Sequence, residues 1–182
     1  MQENQIIDAV STWVQQVVIG LELCPFAAKP MLESKIRILI SHVEDDEALL
    51  VELQTECEYL RSVSASQVET SLLILTNHLQ DFWDYNQFLI WAKGMFRREG
   101  FEGEFQIASF HPDYCFAGAT PEDAENLTNR SPFPILHIIR EASLDKALNY
   151  FPDVEQVPIR NKQRVENLSL DEKQKLFPYL FR

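Results

Sequence analysis

The chain reads as an α/β (or α+β) domain: a small four-stranded mixed sheet with two crossover helices and flanking N- and C-terminal helices. Three observations predict this. Short β-branched or apolar runs recur at Ile36–Ile40, Leu72–Leu75, Phe105–Phe110 and Ile135–Arg140. Helical-period segments separate the first three of them, and a parallel strand pair needs such a crossover. With 182 residues and 46% hydrophobic content, the chain is long enough for one core and is expected to be a single domain over 1–182.

In order, residues 5–19 place Ile6, Val10, Trp13, Val14 and Val17 at helical spacing, with Gly20 where a C-terminal helix glycine belongs. Residues 21–34, with Cys24, Pro25 and Pro30, read as a connector. Lys35–His42 alternates as a strand. Asp45 is placed to cap a helix carrying Leu49, Leu53, Cys57 and Leu60 on its buried side. Leu72–Leu75 is apolar throughout, the pattern of a strand covered on both faces. Residues 80–99 form a helix apolar around most of its circumference, which predicts deep packing or an oligomer contact. Phe105–Phe110 is the third strand, and a loop of about two dozen residues leads to the fourth, a length that inside a compact domain usually signals function. Ser143 reads as the cap of a short helix to Tyr150. Residues 152–168 read as extended or irregular, so 152–182 is a partly irregular segment ending in a short helix opened by the Ser169–Glu172 capping box. Pro178 stops that helix.

Charge and cysteine content narrow the function classes. Sixteen Lys and Arg against 28 Asp and Glu give a net charge of −12. Phosphate backbones and anionic bilayers call for a basic surface, so neither nucleic acid nor membrane is an expected partner. Three cysteines without a C-x-x-C pair, and no signal or membrane-spanning pattern, lead to the expectation of a cytoplasmic protein. The acid excess is uneven: residues 155–182 carry six basic and four acidic side chains.

Chemistry concentrates in the long loop. His111 ends the third strand, is held in direction by Pro112 and is the leading acid/base candidate, since an unperturbed imidazole titrates near neutrality. A plainer role is a strand-ending imidazole that closes a turn. Asn126, Asn129, Arg130 and Ser131 form a polar group without an acid, suited to a carboxylate or phosphate, and Arg140 at the end of the next strand could reach either such a ligand or Glu141. The alternative is a loop stitched together by Asn side chains and a buried Arg. His137 shares a strand face with Ile135 and Ile139 and reads as a core histidine. Cys24 would become a low-pKa helix cap if Pro25 opened a helix, and then a candidate nucleophile; otherwise it is a small buried apolar group. No metal-ligand spacing, glycine-rich phosphate loop or G-x-S-x-G elbow is present, so no metal or cofactor is expected.

Several segments carry a resemblance: Val18–Ala27 around Cys24, Asp81–Leu89, Ala108–Tyr114 around His111, Asn126–His137, and Arg140–Ser143. Together they resemble the family called domain of unknown function 1415, found mostly in bacteria, over nearly the whole chain. Arg160–Asn161 is similar to an Arg–Asn pair of that family's tail. The resemblance implies that the polar cluster belongs to a family pattern; it brings no reaction, substrate or cofactor. Two expectations follow from the residues. One is a pocket for a small anionic metabolite, held by Arg130, Asn126 and Asn129 with His111 as acid/base and Cys24 as nucleophile. The other is a non-catalytic module whose aromatic helix makes a homo-oligomer or partner contact.

Overall fold

In the computed structural model, which describes residues 2–149 and 153–181, four strands form one sheet in the order β1-β2-β4-β3. They are β1 (Ile36–Ser41), β2 (Thr70–Leu75), β3 (Phe105–Phe110) and β4 (Ile135–Arg140). β1 and β2 are parallel, and β4 runs antiparallel to both β2 and β3. The helices α3 (Asp46–Ser62) and α4 (Phe82–Arg98) are the two crossovers. The mixed α/β architecture is as the sequence predicts.

The alternation of β2 and β4 divides the core in two. Leu73, Leu75, Leu136 and Ile138 meet α3 and α4, whereas Leu72, Ile74 and Ile135 meet the N-terminal helix α1 (Glu3–Trp13) and the C-terminal segment. Asp45 caps α3 as predicted, its carboxylate accepting from the Ala48 N–H at 2.8 Å. The same helix also buries Glu56, which a periodicity of apolar residues does not reveal. Its carboxylate accepts from Arg37 Nε at 3.1 Å and from Ser71 Oγ at 2.5 Å, and the Arg37 guanidinium lies 4.4 Å from the Tyr59 ring centre.

Three local expectations are corrected. The first helix does not run evenly to residue 19: α1 ends at Trp13, and Val14–Ile19 continue as a π-helix. Gly20 does sit at the C-terminal cap, in a right-handed conformation with φ of −61°. It is there because a Cβ would lie 2.3 Å from the Gln16 carbonyl oxygen. Pro25 and Phe26 form a turn, and the next helix α2 (Ala28–Leu32) starts later, so Cys24 caps no helix. β4 runs directly into α5 (Glu141–Asn149), which makes Ser143 an interior residue; Tyr150, the expected end, lies outside the described residues.

The C-terminal region is more ordered than predicted. Within 152–168, whose first residue is also outside the described set, lies α6 (Val157–Glu166) with Pro158 in its first turn, where a missing N–H costs nothing. Ser169 and Glu172 form the predicted capping box of α7 (Leu170–Leu176), although Leu170 is solvent-exposed and Phe177 supplies the buried anchor. No helix among the described residues is long and apolar enough to cross a membrane.

Substituting Gly20→Ala forces the π-helical turn to move. We expect a loss of roughly 1–3 kcal/mol, read as a lower urea midpoint with an unchanged slope.

Candidate functional site

The 24-residue connection from β3 to β4 is closed at its mouth by an aromatic clamp. Tyr85 on α4 donates its hydroxyl hydrogen to the Ile135 carbonyl at 2.7 Å and accepts the Phe110 N–H at 3.2 Å, joining the last residues that β3 and β4 pair. His111 is fully buried beside it, 5.2 Å from the ring centres of both Tyr85 and Phe82. Its Nδ1 accepts from the Asp113 N–H at 3.0 Å, which leaves Nε2 as the protonated nitrogen donating to the Leu79 carbonyl at 3.2 Å. Burial lowers its pKa. Both ring nitrogens are thus engaged with backbone, which is the turn-closing role rather than an open acid/base position.

The polar cluster turns inward in the same way. Asn126 is fully buried, accepting from the Phe116 N–H at 3.0 Å and donating to the Thr120 carbonyl at 2.7 Å. Arg130 spans the loop from Tyr114 O at 3.1 Å to Pro121 O at 2.7 Å. Asn129 donates to Ser109 O at 3.1 Å, and buried Ser131 to Phe133 O at 2.5 Å. Arg140 reaches the carbonyls of Leu60, Val63 and Val68, tying the end of α3 to the sheet. The donors that looked suited to an anion meet peptide carbonyls instead. His137 lies where the strand periodicity places it, on the α1 side of the sheet, with Nε2 2.7 Å from Thr70 Oγ1. Burial pushes it down to about 4.

The stitched loop nevertheless positions something. Its short 3₁₀ turn, Ala124–Thr128, supports α6: Leu127 and Val165 share the buried core on this side, and Lys162 pairs with Glu125 at 2.5 Å. α6 then faces the turn that follows the π-helix. There Asn161 Nδ2 donates to Leu23 O at 2.6 Å. Arg164 donates to the carbonyls of Leu21 and Glu22 and pairs with the Glu22 carboxylate. Glu22 itself is left-handed, with φ of 50°.

Between α6 and this turn opens a cleft of about 380 Å³. Cys24 and Pro25 line one side, and Arg160, Asn161 and Arg164 the other. The thiol is half-buried. Desolvation raises its pKa, opposed by hydrogen bonds from the backbone of Phe26 and Ala27, so at neutral pH it is a protonated thiol. Of the residues singled out in the sequence as site candidates, the cleft takes only Cys24; His111 and Arg130 do not line it. Arg160 and Asn161 stood out in the sequence only as a pair resembling the family's tail and Arg164 not at all, because their segment read as irregular. The available signal was Arg160 and Arg164 at i and i+4, on one face of a helix.

A second hollow of about 490 Å³ lies between α1, Phe133 and Tyr179. Its charged lining residues, Asp8 and Lys175, are opposite in sign, so it has no comparable preference for an anion.

A family model described as protein of unknown function (DUF1415) matches residues 5–175. No curated protein and no solved structure matches the chain.

Two predictions follow from this geometry. Asn126→Ala leaves the Phe116 N–H unpaired and removes one of the two donors to the Thr120 carbonyl, and should cost about 1–3 kcal/mol in chemical denaturation. For His137 the folded pKa of about 4 lies below the ordinary 6.5, so the unfolded chain holds the extra proton between those values. Its contribution is complete above that ordinary value and is lost as the pH falls toward about 4, on the order of 3 kcal/mol. The difference in unfolding free energy between the native chain and His137→Gln, followed from neutral to acidic pH, measures it.

Proposed function

The chain belongs to the DUF1415 family of proteins of unknown function, and within that frame we propose that it binds a small anionic metabolite in the cleft between Cys24 and α6. The observation that carries this reading is the convergence of Cys24 with Arg160, Asn161 and Arg164, from the two ends of the chain, around one hollow. The anion expected at Arg130 is thereby reassigned to Arg160.

The chemistry supports an anion in three ways. Two guanidiniums and one carboxylate, Glu22, line the cleft, and Glu22 pairs with Arg164. Over the length of α6, Arg160, Lys162 and Arg164 stand against Glu166 alone, in a protein of net charge −12. A guanidinium also offers the planar, two-pronged donor set that matches a carboxylate or phosphate. Arg164 and Asn161 are bonded to the carbonyls of the facing turn and shape the cleft; Arg160, exposed and donating to the Asp153 carbonyl at 3.4 Å, adds the second guanidinium of its wall. The protonated Cys24 thiol makes a soft apolar contact rather than attacking as a nucleophile. This is a binding function, with no covalent step assigned.

The test is thermal-shift screening against phosphorylated and carboxylated metabolites. A specific ligand at a hundred times its dissociation constant adds about 2.7 kcal/mol of stability, a readily measured rise in Tm. The same ligand should slow alkylation of Cys24 in a Cys115→Ser background, and Arg160→Gln should abolish both effects in a chain whose circular dichroism matches that of the native protein. If no compound in a broad anionic panel shifts Tm or protects the thiol, the reading fails.

A further inference from the structure

Helix α4 buries Tyr85, Phe88, Ala92, Met95 and Phe96, yet its other side is not polar. Trp83, Ile90 and Trp91 are 71%, 61% and 53% exposed. The outward residues Trp83, Gln87, Ile90, Gly94 and Arg97 follow one another at alternating spacings of four and three, the repeat of a helix–helix seam. Gly94 lies inside the helix, where glycine is a poor helix former, and a Cβ there would meet nothing within 4 Å. Nothing in the chain's own packing calls for a glycine at this position. The close approach of another helix does.

The exposed residues flanking that seam, Asp84, Trp91 and Arg98, recur at intervals of seven along one edge of the helix and are symmetric about Trp91. In an antiparallel two-fold pair the same edge of each helix meets itself, which sets Asp84 opposite Arg98 and Trp91 opposite its own copy. From these correspondences we propose that α4 is a self-association face, on which a second copy of the chain packs its own α4 antiparallel about a two-fold axis. In that arrangement Asp84 receives the Arg98 guanidinium of the second copy, and the two Trp91 rings meet at the axis. Gln87 enters the space above Gly94. The contacts away from the axis occur twice. Reversing the helix on itself brings the acidic first turn, with Asp81 and Asp84, against the basic last turn, with Arg97 and Arg98. Within one copy Arg97 pairs with Glu102 at 3.5 Å and Arg98 with Glu99 at 2.7 Å; both arginines are well exposed, so exchanging these partners costs little.

Size sets the strength. Seventeen residues give about 25 Å of helix, which covers less than the roughly 800 Å² per partner of a standard interface. A reversible dimer in the micromolar range is the expectation. α4 lies on the opposite side of the sheet from the Cys24 cleft, so this inference stands independently of the ligand reading.

Sedimentation velocity from about 1 to about 300 µM tests it across the range in which such an interface dissociates. The native chain should pass from monomer to dimer, and Ile90→Glu should remain monomeric. Asp84→Arg and Arg98→Asp alone should each weaken the dimer at least about tenfold, by placing like charges opposite each other. Mixing these two variants should restore it, because each copy then presents the charge that the other lacks. All these positions are exposed, and unchanged circular dichroism verifies that the fold is intact. A native chain that stays monomeric throughout, a dimer that survives Ile90→Glu, or a mixture that fails to reassociate would each overturn the proposal.

Discussion

The hydroxyl of Tyr85 is the point on which much of this molecule turns. β4 enters the sheet between β2 and β3, against the direction of both, and its first residue pairs with the last of β3, so the 24-residue loop leaves the sheet and returns to it at one point. Tyr85 bonds the last N–H of β3 and the first carbonyl of β4, and so fixes where that excursion begins and ends. A loop of this length cannot satisfy its own peptide groups by regular structure, and a buried unpaired carbonyl is costly. Asn126, Asn129, Arg130, Ser131 and His111 meet that need. The result is a solid loop whose outer turn carries α6, and α6 is one wall of the Cys24 cleft.

The sheet separates two kinds of surface. On the α1 and α6 side, charge and a thiol gather around a hollow; on the α3 and α4 side, large apolar groups are left facing water. Neither arrangement is demanded by folding. Exposed tryptophans and an interior helix glycine give up stability that polar, helix-favouring residues at the same positions would supply. Two desolvated histidines, one buried and one half-buried, belong to the opposite category. His111 and His137 have pKa values lowered by desolvation and serve the interior, even though an imidazole in a sequence first suggests titration chemistry.

The strands, both crossover helices and the cap at Asp45 were legible because each rests on a local rule: a period, a cap, an apolar run. The π-helix was not, because Val14 and Val17 keep a pattern compatible with an ordinary helix while the backbone gains an extra residue in the turn. α6 was hidden by Pro158 and a polar composition, and its buried Val165 is too sparse a signal to set a period. The direction in which the loop's donors point was not legible, for a deeper reason. A guanidinium or carboxamide that binds a carboxylate and one that binds a peptide carbonyl are chemically the same donor, so the direction in which Arg130 and Asn126 point is decided by tertiary structure alone.

Strand β1 shows what a single polar contact can accomplish where apolar patterning is weak. Its sequence is Ile-Arg-Ile-Leu-Ile-Ser, apolar on both faces through the middle, so burial alone scarcely distinguishes the native alignment from one displaced by a residue. Displacement would turn Arg37 toward the opposite apolar layer and leave Glu56 and Ser71 facing an isoleucine. The salt bridge therefore acts as a proofreading contact for an edge strand. It adds little where the strand is correctly placed, with Arg37 partly in water, and penalises heavily where it is not. Misalignment, rather than loss of folded mass, is the failure that this arrangement guards against.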